Sequence, residues 1–165
     1  MTAAEQKTNV MRMLEQKKVK YTAHEYSHGD GAVDGLTVAR LTGIAPEKIY
    51  KTLVVRGTSK SIYVFVIPVT QELDLKRAAK SVGEKSVAMI HVSEINDITG
   101  YVRGGCSPIG MKKQFRTVYD SSVEALDTVL VSAGKIGYQI ELAPQELIRL
   151  TRGQTANITI QDTED

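Results

Sequence analysis

At 165 residues, 42% apolar and 24% charged, the chain has the length and composition of one globular domain with its own core, taken over 1–165. Its 21 basic and 19 acidic side chains leave a net charge of +2, which excludes a nucleic-acid wrapper held by overall charge and leaves room for a local basic patch. The single Cys106 excludes an internal disulfide framework, and no apolar run approaches the ~20 residues of a membrane span. The opening Met1-Thr-Ala-Ala-Glu-Gln-Lys7 lacks the apolar segment of a secretion signal, so the expectation is a cytoplasmic protein that meets no membrane.

In chain order, Thr2-Ala-Ala-Glu5 has the spacing of a capping box, and Val10, Met13 and Leu14 follow at helical spacing, which predicts a first helix to about Lys18. Tyr21 to Tyr26 reads as a short strand and Ser27-His-Gly-Asp-Gly31 as a loop. Leu36 to Leu41 reads as a short helix stopped by Gly43, and Pro46 opens another turn. Tyr50–Val55 and Ser61–Val69, rich in Val, Ile and Tyr, read as a hairpin joined by Arg56-Gly-Thr-Ser-Lys60. Asp74 is placed to cap a helix running to Val82, with Gly83 at its end. Val87–Val92 reads as a strand, and Ser93 as the cap of a short helix ending at Gly100. Phe115–Tyr119, Val129–Ser132 and Tyr138–Leu142 read as further strands. Pro144 opens a last helix that closes near Gly153, and the acidic stretch 161–165 is expected to fray. Short strands and helices mix without a strict βαβ rhythm. That predicts the α/β class: one domain with a mixed, mostly antiparallel, partly closed and barrel-like sheet flanked by short helices.

Three segments stand apart. In Gly100-Tyr-Val-Arg103-Gly104-Gly105-Cys106-Ser107-Pro108-Ile-Gly110 the glycines and proline cannot continue a helix or a central strand. Such a loop either makes an ordinary tight connection or aims its own N–H groups at a ligand. In Ile49-Tyr50-Lys51-Thr52-Leu53-Val54-Val55 a lysine and a threonine interrupt an otherwise buried strand; Lys51 either lies on a solvated face or faces a cleft, where its ammonium would meet a phosphate or a carbonyl. In Val131-Ser132-Ala-Gly134-Lys135-Ile-Gly137 a second glycine turn joins two strands, with Ser132 at the strand end.

Cys106, within the first loop, is a candidate nucleophile only if a base such as His24, His28 or His91 stands beside it, and the spacing fixes none there. No His/Cys/Asp pattern has metal-ligand spacing and no phosphate-binding glycine fingerprint precedes a long helix, so neither a metal nor a nucleotide cofactor is expected.

Taken together, Tyr21-Thr-Ala-His-Glu-Tyr26, Tyr50-Lys-Thr-Leu-Val54, Leu73-Asp-Leu-Lys76, Thr99 to Gly110, Val131 to Gly137 and Glu141-Leu-Ala-Pro144 resemble the YbaK/EbsC family of aminoacyl-tRNA deacylases, which is related to the editing domain of bacterial-type prolyl-tRNA synthetases. The resemblance implies trans-acting hydrolysis of mischarged tRNA, with cysteine carried by proline tRNA as the usual substrate. It implies that Lys51 acts near the scissile ester or the terminal adenosine, and that Gly104 and Gly105 present N–H groups to the ester carbonyl. Tyr26, Thr52, Cys106 and Ser132 would line the substrate pocket, with Gly134 and Gly137 in the second turn, while Ser107, Pro108 and Gly110 hold the loop's shape.

For a cysteinyl ester the substrate's own thiolate would attack its carbonyl, so no triad is needed. Arg103, Lys112, Lys113 and Arg116 are the candidates for tRNA contact, with prolyl-tRNA synthetase as a possible partner. Between Tyr26 and Lys51 the run Ser27-His-Gly-Asp-Gly-Ala-Val-Asp34-Gly35 departs from the histidine-aspartate-proline stretch of many relatives, which leaves another small amino acid such as alanine as an alternative substrate. A non-catalytic module that binds tRNA or the synthetase is the reading outside the enzyme class.

Overall fold

The first described helix, α1 (Asn9–Gln16), begins where the Thr8 hydroxyl accepts the Met11 N–H. It buries Val10, Met11 and Leu14 on one stripe, as the spacing predicts. This computed structural model describes residues 7–27 and 33–160, so the expected cap at Thr2, the histidine-bearing loop around His28 and the tail 161–165 lie outside the described residues. The cap actually used for the apolar stripe is Thr8, which has a serviceable hydroxyl one residue before the helix starts.

Among the described residues, eight strands form two sheets. The larger has the order β4-β2-β3-β5-β8, built from β2 (Tyr50–Gly57), β3 (Ile62–Pro68), β4 (Val87–Met89), β5 (Arg116–Asp120) and β8 (Gln154–Ala156). The smaller has the order β1-β7-β6, from β1 (Thr22–Glu25), β6 (Val129–Ser132) and β7 (Tyr138–Leu142). The β2–β3 hairpin is antiparallel, with Lys51 opposite Ile67 and Thr52 opposite Val66. The strand β3 pairs with β5 in parallel, and β5 with β8 likewise. A central position explains the unbroken apolar run of β3: Val64, Phe65, Val66 and Ile67 are fully buried because both faces are covered. Each such side chain contributes about 1.5–3 kcal/mol relative to exposure.

The mixed α/β class is as expected, with a mixture of parallel and antiparallel pairing. The two sheets meet at a parallel bridge between Ile49 and Leu130, and among the described residues no strand ladder closes them into a barrel.

The helices follow their signals. The helix α2 (Gly35–Thr42) is capped by Asp34 and ends at Gly43, α3 (Leu75–Ser81) is capped by Asp74, and α5 (Pro144–Thr151) opens on its proline. Three local expectations differ. The strand β4 stops at Met89, since His91 begins a 3₁₀ turn over Val92–Glu94. Ser93 sits inside that turn and caps nothing; α4 (Ile95–Thr99) follows directly and ends at Gly100 as expected. The chain after Gly153 adds the edge strand β8, whose partner β5 is distant in sequence and so leaves no local signal.

Candidate active site

Where the two sheets meet, a cavity of about 140 Å³ opens between β2, β6, β7 and the approach to α2. The residues predicted from sequence that line it are Tyr26, Lys51, Thr52, Gly104, Cys106 and Ser132. The bridge between Ile49 and Leu130 explains the convergence, because it holds the start of β2 against β6. Strand alternation puts Lys51 on the same face of β2 as Ile49, another cavity residue. Lys51 is half-buried, and among the described residues no carboxylate pairs with it. Thr52, its neighbour, shares the opposite face with its cross-strand partner Val66, and its Oγ1 is buried with no hydrogen-bond partner.

The glycine loop forms one wall. Gly104 lies at the cavity with φ +88°, a conformation that side chains rarely adopt. Gly105 is a matter of close approach: a Cβ there would sit 3.0 Å from the Ile136 backbone nitrogen, so the loop packs directly on the turn between β6 and β7. Its N–H donates to the Val102 carbonyl at 3.0 Å, and it does not line the cavity. The expected pair of free amide donors is therefore not the arrangement observed; Gly104 alone of the two faces the cavity. Ser107 and Pro108 are buried within the loop, where the Ser107 Oγ accepts the Ile109 N–H and the Tyr101 hydroxyl donates to the Ile109 carbonyl. Gly110 and Gly134 line a separate groove of about 530 Å³ beside α1, and Gly137 accepts the Tyr26 N–H through its carbonyl. These five residues shape the walls and do not face the cavity.

Ser132, at the end of β6, is buried, and its Oγ accepts the Gly134 N–H at 3.1 Å. Directly across the β6–β7 ladder is Gln139, also on the cavity wall and only 6% exposed, whose Oε1 has no hydrogen-bond partner. Sequence reading passed over Gln139, since a glutamine in a short strand carries no motif; only its register against Ser132 brings it to the site.

Two residues further along the same face, Glu141 is held by three partners: the Thr128 hydroxyl, His24 Nε2 at 2.8 Å and Lys48 Nζ at 3.2 Å. The Thr128 hydrogen bond, helped by His24 and Lys48, pulls its carboxyl down to about 2.

Cys106 lines the cavity, and burial pushes its thiol up to about 11, the opposite of what activates a cysteine. Among the described residues no histidine lines the cavity: His24 is engaged by Glu141, and His91 caps the 3₁₀ turn. Of the basic candidates, Arg103, Lys112 and Lys113 are exposed on or beside the loop. Arg116 is engaged elsewhere, its guanidinium donating to the Ser81 and Val82 carbonyls at the end of α3 and to Gln154. The groove beside α1 adds two lysines that the sequence did not single out, Lys7 and Lys135, next to Lys112.

Residues 33–150 match the sequence family described as "Aminoacyl-tRNA editing domain", a stretch that contains nearly all of this cavity. The chain belongs to that family. It is 48% identical over 158 residues, 96% of each chain, to the Enterococcus faecalis protein named "Putative Cys-tRNA(Pro)/Cys-tRNA(Cys) deacylase EbsC". It is also 28% identical over 101 residues to the proline–tRNA ligase of Kosmotoga olearia, covering 61% of this chain and 17% of the ligase. In three dimensions it resembles a crystal structure described as a putative trans-editing enzyme for prolyl tRNA synthetase, with a TM-score of 0.79, 24% identity and coverage of 92% and 95% of the two chains, a likeness of fold. The expectation of an enzyme in the aminoacyl-tRNA deacylase class is borne out by this membership.

Proposed function

We propose that this protein is a trans-acting editing enzyme that removes cysteine from mischarged tRNA(Pro), with the cavity between β2 and β6 holding the aminoacyl ester. The observation that carries the reading is the cavity's chemistry: a lysine that no carboxylate among the described residues pairs with, a positive-φ glycine wall, and a cysteine whose thiol is pushed up to about 11. A site with no activated nucleophile of its own suits a substrate that brings one. At about 140 Å³ the cavity is well below the ~300–1,000 Å³ that hold drug-sized ligands, which favours a small aminoacyl group over a nucleoside inside it.

In this reading the cysteinyl thiolate attacks its own ester carbonyl. The C–S bond forms, the C–O bond to the ribose breaks, and the 3′-oxygen leaves and takes up a proton; the product is a cyclic thiolactone and deacylated tRNA. Intramolecular attack gains from proximity. The Lys51 ammonium stabilises charge on the carbonyl or leaving oxygen, the Gly104 N–H faces the developing oxyanion, and the Ser132 hydroxyl and the Tyr26 side chain shape the pocket.

Tyr26, Ser132 and Gly104 are supported here by lining the cavity, whereas Gly105, Ser107, Pro108, Gly110, Gly134 and Gly137 act through the shape of the walls. The tRNA backbone would lie along Arg103, Lys112 and Lys113, extended by Lys7 and Lys135. Few cations on one face mean modest affinity, which suits an enzyme acting in the cytoplasm beside prolyl-tRNA synthetase.

Alanine on tRNA(Pro) is the second reading, favoured by the small cavity; its ester has no thiol, so water must attack. Deacylation of Cys-tRNA(Pro) and Ala-tRNA(Pro) by wild type, Lys51→Ala and Cys106→Ala decides. Cysteinyl turnover lost in Lys51→Ala and kept in Cys106→Ala supports the proposal. Alanyl turnover alone moves the substrate to alanine, and tRNA binding with neither turnover overturns the enzyme reading in favour of a binding module.

A further inference from the structure

Among the described residues, Gln139 is the cavity side chain that is more than nine-tenths buried and still leaves an acceptor unused; the other unpartnered atom there, Thr52 Oγ1, belongs to a half-buried residue. Its place on the wall follows from register. It lies opposite Ser132 across the β6–β7 ladder and opposite His24 across the β1–β7 ladder, and residues paired in this way share a face. That face also carries Leu130, packed with Tyr26, Val38 and Ile49 around the cavity. A buried carbonyl oxygen without a donor is costly to leave unmade, and most native proteins avoid one. Glu141, two residues on, shows that this strand is able to satisfy an acceptor fully when the role is structural.

We propose that Gln139 Oε1 is the recognition point for the α-ammonium group of the bound aminoacyl ester. The assignment rests on the deacylase reading for the identity of the ligand and on the geometry of Gln139 for its location. The missing partner must be a donor, because a carbonyl oxygen only accepts. In an aminoacyl ester the ammonium brings three N–H donors on the carbon next to the scissile carbonyl, so it enters any cavity that holds the carbonyl. Lys51 stands on β2, in the other sheet, and like charges separate; the ammonium turns to the β7 side, where the free acceptor is. A neutral amide recognises the cation without placing a second buried charge in the site. Gln139 thereby orients the α-carbon and sets which way the side chain of the amino acid points.

The test is binding of a stable probe, 3′-cysteinylamino-3′-deoxyadenosine, in which an amide replaces the ester, together with its N-acetyl derivative and its 2′-deoxy form. Calorimetry is run on wild type, Gln139→Leu and Gln139→Glu, with thermal melting as the check on folding. Wild type should prefer the free amine over the N-acetyl probe by roughly ten- to hundredfold, the worth of a charge-assisted hydrogen bond. Gln139→Leu should bind the two alike, and Gln139→Glu should keep or increase the preference.

Equal weakening of both probes in Gln139→Leu assigns a structural role and overturns the proposal. So does an unchanged ratio, or a ratio that falls in Gln139→Glu, which stands as the decisive variant if Gln139→Leu fails to fold. If Gln139→Leu instead removes the preference for the 2′-hydroxyl form, the donor is the ribose and the ammonium assignment fails. Failure of wild type to bind either probe also overturns it. Cys-tRNA(Pro) turnover measured alongside separates the two claims: no turnover with an intact amine preference removes the deacylase reading and leaves the ammonium site standing.

Discussion

Glu141 and Gln139 sit two residues apart on one face of β7 and are treated in opposite ways. Every partner Glu141 could want is supplied: a threonine hydroxyl from the chain just before β6, a histidine from β1 and a lysine from the turn before β2. That cluster ties three separate segments to one strand. Gln139 is more deeply buried, yet its carbonyl oxygen is left open toward a cavity. A fold that satisfies one polar side chain three times over and leaves its neighbour unmet is dividing labour. The saturated group holds the sheet to its surroundings, and the groups left open at the cavity among the described residues, Gln139, Thr52 and Lys51, are available for a ligand.

The largest effect should come from the open side of this contrast. Lys51→Ala should lower kcat/KM for Cys-tRNA(Pro) by about 10²–10³-fold, the range for loss of one preorganised stabiliser. Its melting temperature should stay near wild type, since the lysine has no carboxylate partner among the described residues to abandon. Single-turnover deacylation and thermal melting check both. Activity within a few-fold of wild type would place Lys51 on the structural side with Glu141.

The saturated side should answer in stability. Glu141→Leu strands Thr128, His24 and Lys48 around an apolar group and should cost about 2–3 kcal/mol in denaturant unfolding. Deacylation per folded molecule should be nearly unchanged. A loss of activity without a loss of stability would erase the distinction between the two residues.

Acid provides a reversible version of the same test. The Glu141 carboxyl is depressed to about 2 in the fold, so the ionised form is favoured by folding. Its contribution is complete above the unfolded value of about 4.5 and is lost as pH falls from there through about 2. Wild type should therefore lose more stability over that window than Glu141→Gln, by about 1–2 kcal/mol after allowance for partial exposure of the cluster. Parallel curves for the two proteins would mean that the carboxyl is not held as the cluster implies.

Much of this fold was legible because its signals are local. The apolar run Val64–Ile67 marks a strand covered on both faces, and Asp74, Gly43 and Pro144 mark helix ends by their own chemistry. The strand β8 was not legible, since three residues gain strand character only from pairing with β5, far away in the chain. The site divides in the same manner. Lys51 and the glycine loop announce themselves as departures from what a strand or helix tolerates. Gln139 alternates correctly for an exposed face of β7, and it is register and the bridge between the sheets that turn that face inward. Gly105 was legible as special but not as to how: its N–H is spent on the Val102 carbonyl, and what the position requires is the absence of a Cβ.

That requirement gives a smaller prediction within the glycine wall. In Gly105→Ala the new methyl meets the Ile136 nitrogen at 3.0 Å and the Lys135 carbonyl carbon at 3.2 Å, both backbone, so the loop must move by a few tenths of an ångström. Gly104, next in the chain, would move with it. A misplaced donor costs about tenfold in kcat where the same donor removed costs about a hundred. Single-turnover deacylation should show that loss in kcat with a smaller change in KM for tRNA, because Lys135 is the groove cation whose backbone the methyl meets while Lys7 and Lys112 stand outside that contact. A change confined to KM would instead make the loop a binding element.

The smallest effect should belong to Cys106, the residue that looks most reactive on paper. Burial holds its thiol up to about 11, so at neutral pH it is almost wholly protonated, and the two candidate bases among the described residues, His24 and His91, are occupied at Glu141 and in the 3₁₀ turn. Cys106→Ala should leave deacylation within about twofold, and cysteine-directed reagents should react slowly below pH 9, speeding up as pH approaches the thiol's own value. The pH–rate profile sharpens the matter further. If the attacking thiolate belongs to the substrate, the profile of wild type and Cys106→Ala should rise together, and alanyl ester should lack that rise. A profile that flattens in Cys106→Ala would move the nucleophile from the substrate to the protein and put Cys106 with Lys51 among the groups the cavity keeps available.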